Sequence, residues 1–159
     1  MACIRVRFVA DSSFIGRAIR YVTGSLFQHV EFGTPEGTWI GAHSDGGIRE
    51  RPATYCVPTR EYVYEVPCTD ARQATLLTWA RSQIGVKYNL LDIAGLLFKA
   101  RFLTSPNRFI CSQFCTDGLL MVFGAKRVLN VLSGYAYLVT PETLHLSPIF
   151  VGNLVKRKG

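Results

Sequence analysis

Arg108-Phe109-Ile110-Cys111-Ser112-Gln113-Phe114-Cys115, running on into Thr116-Asp117-Gly118-Leu119-Leu120-Met121, contains a change of period. Arg108-Phe109-Ile110 is short and β-like. From Cys111 onward the apolar positions Phe114, Leu119, Leu120 and Phe123 follow a helical spacing. Ser112 or Asn107 can cap that helix and Gly124 can stop it. A cysteine at the mouth of a helix meets unpaired N–H groups and the positive end of the dipole, an environment that turns a thiol into a nucleophile at neutral pH. The same residue also fits a buried small hydrophobe, so the chemistry depends on what the rest of the chain brings to it.

Upstream of Cys111 the chain reads as two helices. One starts at Thr69-Asp70, carries Ala71, Ala74, Leu77, Trp79, Ala80 and Ile84, and ends at Gly85. Lys87-Tyr88-Asn89 links it to an apolar helix over Leu90–Ala100. Before Pro67 the period is two. Ile4–Val9 alternates apolar and basic residues as a half-exposed strand. Asp11-Ser12-Ser13 offers caps for a helix over Phe14–Thr23, closed by Gly24-Ser25. Strands are expected over Leu26–Gly33, Trp39–His43, Ile48–Arg51 and Glu61–Val66, separated by Gly/Pro-rich turns. Downstream, Thr140-Pro141 reads as a cap followed by proline at the first helical position, and Ile149–Val151 as a last strand before a basic tail. The expectation is an α+β chain, a single domain over 1–159: an antiparallel meander followed by packed helices.

Composition narrows the function classes. With 48% hydrophobic and 18% charged residues the chain can build a core without staples. Eighteen Lys+Arg against eleven Asp+Glu give a net charge of +7, which favours anionic partners. The basic residues are scattered apart from Lys156-Arg157-Lys158, with no aromatic interleaving, so no specific nucleic-acid platform is expected. The five cysteines form no CxxC pair and no tightly spaced His/Cys cluster, so neither a metal nor any other cofactor is expected. No apolar run is long enough to span a bilayer, and none follows Met1 as a leader would. Synthesis in a reducing cytoplasm is the default reading.

Thiol chemistry needs a base that takes a proton and returns it to the leaving group, and a third group that orients the imidazole. His29 lies mid-strand, where a sheet can aim it at a helix mouth, and Glu31 shares its face. His43 ends the partner strand. His145, flanked by Leu144 and Leu146, reads as packing or capping. Cys115, one turn after Cys111, fits the core better than it fits a resolving thiol.

Gln28-His29-Val30-Glu31-Phe32 resembles the "SHVE" strand of permuted papain-like proteins, relatives of the NlpC cell-wall peptidases. Tyr88-Asn89-Leu90-Leu91-Asp92-Ile93-Ala94-Gly95 resembles their "YD-x-x-G" helix start, and Phe109-Ile110-Cys111-Ser112-Gln113-Phe114 their "fCSE" nucleophile helix. The Val-Glu after the histidine is similar to bacteriophage and prophage members. The resemblance implies a permuted papain-like (NlpC-like) fold with Cys111 as nucleophile, His29 as base, and an oxyanion held by N–H groups at the helix start. The chain departs from the pattern at Gln28, Asn89 and Gln113, and Gly41 stands where the family's third polar member lies. His43, Glu31 or Asp45 can take that role, and His43 ranks first because a strand end can face His29. Tyr88, Ser112 and Gln113 are expected to line the site.

These readings converge on a cysteine-dependent amidohydrolase that cleaves a peptide bond in bacterial peptidoglycan through an acyl-enzyme. The alternatives are an acyltransferase or lipid hydrolase of the lecithin:retinol acyltransferase kind acting on anionic lipid, and a phage or host-interaction protein without turnover.

Overall fold

The alternating Ile4–Val9 stretch forms β1 (Cys3–Ala10) in a computed structural model that describes residues 1–43, 45–87, 111–128 and 139–159. Ser13 then caps α1 (Phe14–Thr23), its Oγ accepting from the Gly16 N–H at 3.1 Å, and Gly24 ends it in the left-handed conformation, φ +63°. The meander follows as β2 (His29–Gly33), β3 (Thr38–His43), β4 (Gly47–Pro52) and β5 (Arg60–Pro67). α2 (Asp70–Ser82) is capped by Thr69. The period change at Cys111 opens α3 (Cys111–Phe123), which stops at Gly124 with φ +75°. The short α4 (Ala125–Val128) and the Thr140-capped α5 (Pro141–His145) follow, and β6 (Leu154–Lys158) ends the chain.

All six strands join one antiparallel sheet in the order β4-β3-β2-β1-β5-β6. One face is hydrocarbon. Ile4, Val6, Phe8, Val30, Phe32, Ile40, Ile48 and Val66 pack with Leu76 and Ala80 of α2 and with Phe114 and Leu119 of α3. The Phe114 ring lies against Phe32 and stacks on Trp79 at 5.1 Å. A Cβ on Gly118 would come within 2.8–2.9 Å of Leu76, Trp79 and Phe32, so this glycine sets how closely α3 lies on the sheet and on α2. Among the described residues no helix is long and apolar enough to cross a membrane.

Several expectations are corrected. Among the described residues, a six-stranded antiparallel sheet with few helices stands where the resemblance implied a permuted papain-like (NlpC-like) domain. The three motifs behind that resemblance are short and record local geometry, a histidine in a strand and a cysteine at a helix start, which does not specify how strands and helices are arranged around them. β2 begins at His29, because the preceding Phe27 turns into the helix side, against Phe8 and Tyr62, instead of alternating with His29. Ile149 and Phe150 are buried in a 3-10 turn, Pro148–Phe150, and the basic tail itself is the last strand, β6. Its exposed Lys156-Arg157-Lys158 suits an edge, where charge discourages further strand pairing. Arg7 is not half-exposed but 2% exposed. The helix expected over Leu90–Ala100 lies outside the described residues.

Candidate active site

The site lies on the sheet face opposite the hydrocarbon core. β1 and β2 pair with Arg7 opposite Glu31 and Val9 opposite His29. β2 and β3 pair with Phe32 opposite Ile40 and Gly33 opposite Trp39. Continuing that register sets Gly41 opposite Glu31 and His43 opposite His29, and directly opposed residues share a face. Arg7, Glu31, His29 and His43 therefore form one buried polar patch.

Glu31 is its anchor. Fully buried, it takes hydrogen bonds and charge from Arg7 at Oε1, while the Tyr55 hydroxyl donates to Oε2 at 3.1 Å. Arg7 also pairs with Glu61 at 3.3 Å and lies 4.4 Å from the centre of the Trp39 ring. Burial alone would raise the Glu31 carboxyl, but the His29 hydrogen bond, the His29 charge and Arg7 hold it below the usual carboxylate range.

The remaining carboxylate valence goes to His29, whose Nε2 lies 3.3 Å from Glu31 Oε2. Residues two apart on a strand have their Cβ atoms about 7 Å apart, a gap that the imidazole closes by lying along the strand over Gly41. A Cβ on Gly41 would fall 3.1 Å from His29 Nε2 and 2.9 Å from Glu31 Cβ. The glycine found where a third polar member was expected thus makes room for a contact between two residues of the neighbouring strand.

On its other side His29 meets the nucleophile candidate. Cys111 opens α3, is 4% exposed, and has its sulfur 3.6 Å from the Gln28 carbonyl oxygen. Burial opposes charge on the His29 ring, yet its hydrogen bonds to the Cys111 sulfur and the Glu31 carboxylate, with the attraction of both groups, raise it to about 10. The imidazole is cationic at neutral pH and lies between sulfur and carboxylate.

The other candidates fall into place around this line. His43 does not hydrogen-bond His29. Its ring packs 4.6 Å from the His29 ring and 5.2 Å edge-on to Tyr55, and its buried Nε2 has no partner among the described residues. Burial first, then the His29 charge, drives His43 down to about 3, so it is neutral. The orienting contact expected from His43 comes from Glu31, because opposed residues on neighbouring strands place the two rings side by side, whereas Glu31 lies along the strand within reach of Nε2. Asp45 is exposed and engages the Arg51 guanidinium at 2.8 Å through both oxygens. Ser112 is buried, with its Oγ unpartnered among the described residues, and Gln113 is half-buried on α3. Tyr88 lies outside the described residues. Cys115 is fully buried in the core, as expected for packing. An opening of about 350 Å³, lined by Gln28, His29, His43, Asp45, Arg51 and Tyr55 among others, leads to the imidazoles.

Sequence reading missed Arg7 and Tyr55. Neither carries a local signal: Arg7 looks like the solvent side of an alternating strand, and Tyr55 comes from the 3-10 turn Ala53–Tyr55 after β4. It also missed that His29, Glu31 and His43 place ligand atoms all within 4.8 Å of one another. Spacing rules see two of these residues on β2 and the third on β3, joined only by the sheet register.

No model of a known protein family matches the chain, and no curated protein does. Among solved structures, the chain is similar to the metalloprotein YiiX of Escherichia coli O157:H7, described as DUF1105. The TM-score is 0.68 at 14% identity, over 99% of this chain and 97% of that one. At that identity the likeness shows the fold alone. These findings correct the papain-like recognition: the fold matched across nearly the whole length is that of the DUF1105 protein, and no family model and no curated protein supports the three short motifs. The His29, Glu31 and His43 donors fit a metal ion chemically, since the buried, neutral His43 has a ring nitrogen with no other partner.

Proposed function

We propose that the chain is a cysteine-dependent hydrolase acting through an acyl-enzyme, with Cys111 as nucleophile, His29 as proton carrier and Glu31 as the group that orients it. The observation that carries this is the placement of one imidazole between a helix-opening sulfur and a buried carboxylate that is itself held by Arg7 and Tyr55. The Cys111 thiolate attacks the carbonyl carbon, forming a C–S bond and an oxyanion. The first N–H groups of α3 have no acceptor within the helix and would donate to that charge as it develops. The His29 proton passes to the leaving amine as the C–N bond breaks. Water, deprotonated by the now neutral His29, then attacks the thioester, and the acid departs with the cysteine regenerated. Glu31 keeps the ring in place and stabilises its charged form.

The +7 charge favours an anionic substrate. A peptide bond of wall peptidoglycan is the first reading, and an ester of anionic phospholipid the second. The test begins with p-nitrophenyl acetate in chelator-treated buffer. Acetylation should map to Cys111 and vanish in Cys111→Ala. Product analysis on purified peptidoglycan and on anionic vesicles then separates amide from ester cleavage. Acylation at no cysteine, with no product from either substrate, would instead support a binding domain without turnover. Metal-dependent hydrolysis is the reading favoured by the three-ligand cluster and by the neighbour's description as a metalloprotein. There His29, Glu31 and His43 would hold an ion that polarises the carbonyl or activates water. Activity that survives chelation and is lost with Cys111→Ala supports the cysteine reading.

A further inference from the structure

We propose that His29, Glu31 and His43 form a binding site for a zinc-class divalent ion whose occupancy switches off the Cys111–His29 pair, making the same imidazole either proton carrier or metal ligand. The inhibitory half rests on the hydrolase reading above, whereas the binding half does not.

The donor set is two imidazoles and a carboxylate, which suits borderline ions such as Zn²⁺. Bonds of about 2.0–2.1 Å at tetrahedral angles place neighbouring ligand atoms about 3.3–3.4 Å apart. His29 Nε2 and Glu31 Oε2 are already 3.3 Å apart. All three donors lie within 4.8 Å of each other, so a small movement of His43 completes the face. His43 is the independent sign of a ligand: it is 8% exposed, and its Nε2 is buried without a partner among the described residues. A buried polar atom left in that state is costly unless something fills its valence. The supporting groups suit a metal site as well. Arg7 fixes the far oxygen of Glu31, and the Tyr55 hydroxyl donates to the near one, which holds the carboxylate in orientation. Nearby cations are engaged, Arg7 by Glu31 and Glu61 and Arg51 by Asp45. The opening lined by His29, His43, Asp45 and Tyr55 admits the ion and leaves its fourth position to water.

Exclusion follows from Nε2. Binding replaces its proton with the ion and releases that proton to solvent. The other ring nitrogen keeps its own proton, so the ring cannot take the thiol proton and cannot give one to a leaving group without becoming an imidazolate. The loss occurs on the side facing Glu31, so the ion need not touch Cys111.

The binding test uses Co²⁺ on the full chain carrying Cys111→Ala. One equivalent should bind with visible d–d bands and no thiolate charge-transfer band. Adding His43→Ala or, as a conservative second variant, His43→Gln should weaken binding at least about tenfold, with circular dichroism confirming that each variant is folded. Unchanged affinity in both folded variants, no binding by the Cys111→Ala chain, or a thiolate band revealing a cysteine ligand would overturn the site. The inhibition test measures iodoacetamide alkylation of Cys111 in the unmodified chain with and without one equivalent of Zn²⁺. Zn²⁺ should slow alkylation at least about tenfold, and His43→Gln should remove that slowing. Binding without slowing would end the switch while the site stands. A Cys111 that is inert even in chelator would end the hydrolase reading, and the Co²⁺ titration would still decide the site.

Discussion

Both faces of the sheet hold buried side chains, and hold them by opposite means. On the helix side, Val6, Phe8, Val30, Phe32 and Ile40 join α2 and α3 in a predominantly hydrocarbon core. On the other side, Arg7, Glu31, Glu61, His29 and His43 are also withdrawn from water, but each is held by charge, hydrogen bond or ring contact. Replacing a charged network by hydrocarbon of similar volume is often neutral or stabilising, so stability does not explain the second face. It has the character of a site, where an imidazole is positioned and its proton retained.

That contrast predicts different failures on the two faces. The largest effect should come from the site. In chelator, His29→Ala should lower turnover of a cleaved substrate about 10²–10⁴-fold, measured on the folded variant. Glu31→Gln should cost less than His29→Ala and more than His43→Gln. If His43→Gln were the more damaging of the two, the orienting role would belong to His43.

On the hydrocarbon face, Phe32→Ala should lower unfolding free energy by about 3–5 kcal/mol, because Phe32 is fully buried against Phe114. Urea titration checks this. A loss under about 1 kcal/mol would mean that the core can close over the missing ring.

Breaking the charged face from one side should also destabilise. Arg7→Met leaves Glu31 and Glu61 without their shared cation and should cost about 3 kcal/mol. Adding Glu31→Gln should recover part of that loss, since it removes one of two buried carboxylate charges that are then left with only His29 and Lys156 as cations. Equal stability of the single and double variants would show that Arg7 acts through packing on Trp39 instead.

The smallest effect concerns Asp117, a half-buried carboxyl on α3 that burial pushes up to about 6 from its ordinary 3.8. Between those values the folded chain keeps a proton that the unfolded chain has released, so folding is progressively disfavoured as pH rises through this window. Asp117→Asn should therefore raise stability by about 1 kcal/mol at pH 7, a figure discounted for partial exposure, and by almost nothing near pH 4. A gain that is the same at both pH values would assign the effect to packing.

What was legible in the sequence depended on range. Period and punctuation marked β1, α1, β3, β4, β5 and α2 to within a residue or two at most ends, because Ser13, Gly24, Thr69 and the Gly/Pro turns act locally. The pairing of Cys111 with His29 was legible from chemical type, and the shared face of His29 and Glu31 from strand alternation. The far partners were not. Arg7 alternates like a solvent-facing residue, and only the packing of Glu31, Glu61, Trp39 and Tyr55 around it shows it to be buried. Gly41 looks like a missing catalytic group until the His29 ring is seen lying over it. The metal-type cluster depends on β2–β3 register, which no spacing rule contains. The resemblance to papain-like proteins failed for a related reason: three short motifs can be right about a cysteine, a histidine and their neighbours without determining the fold that joins them.

Competitive labelling tests the Cys111–His29–Glu31 arrangement most directly. The unmodified chain, in chelator between pH 6 and 7, is treated with limiting iodoacetamide and mapped by peptide mass. Burial raises the thiols of Cys3, Cys56 and Cys68, and raises that of Cys115 far above its ordinary value. Cys111, hydrogen-bonded to a cationic imidazole, should be labelled first, and His29→Ala should remove that preference. Labelling of Cys111 no faster than that of Cys3, Cys56 or Cys68, or a preference that survives His29→Ala, would contradict the assignment.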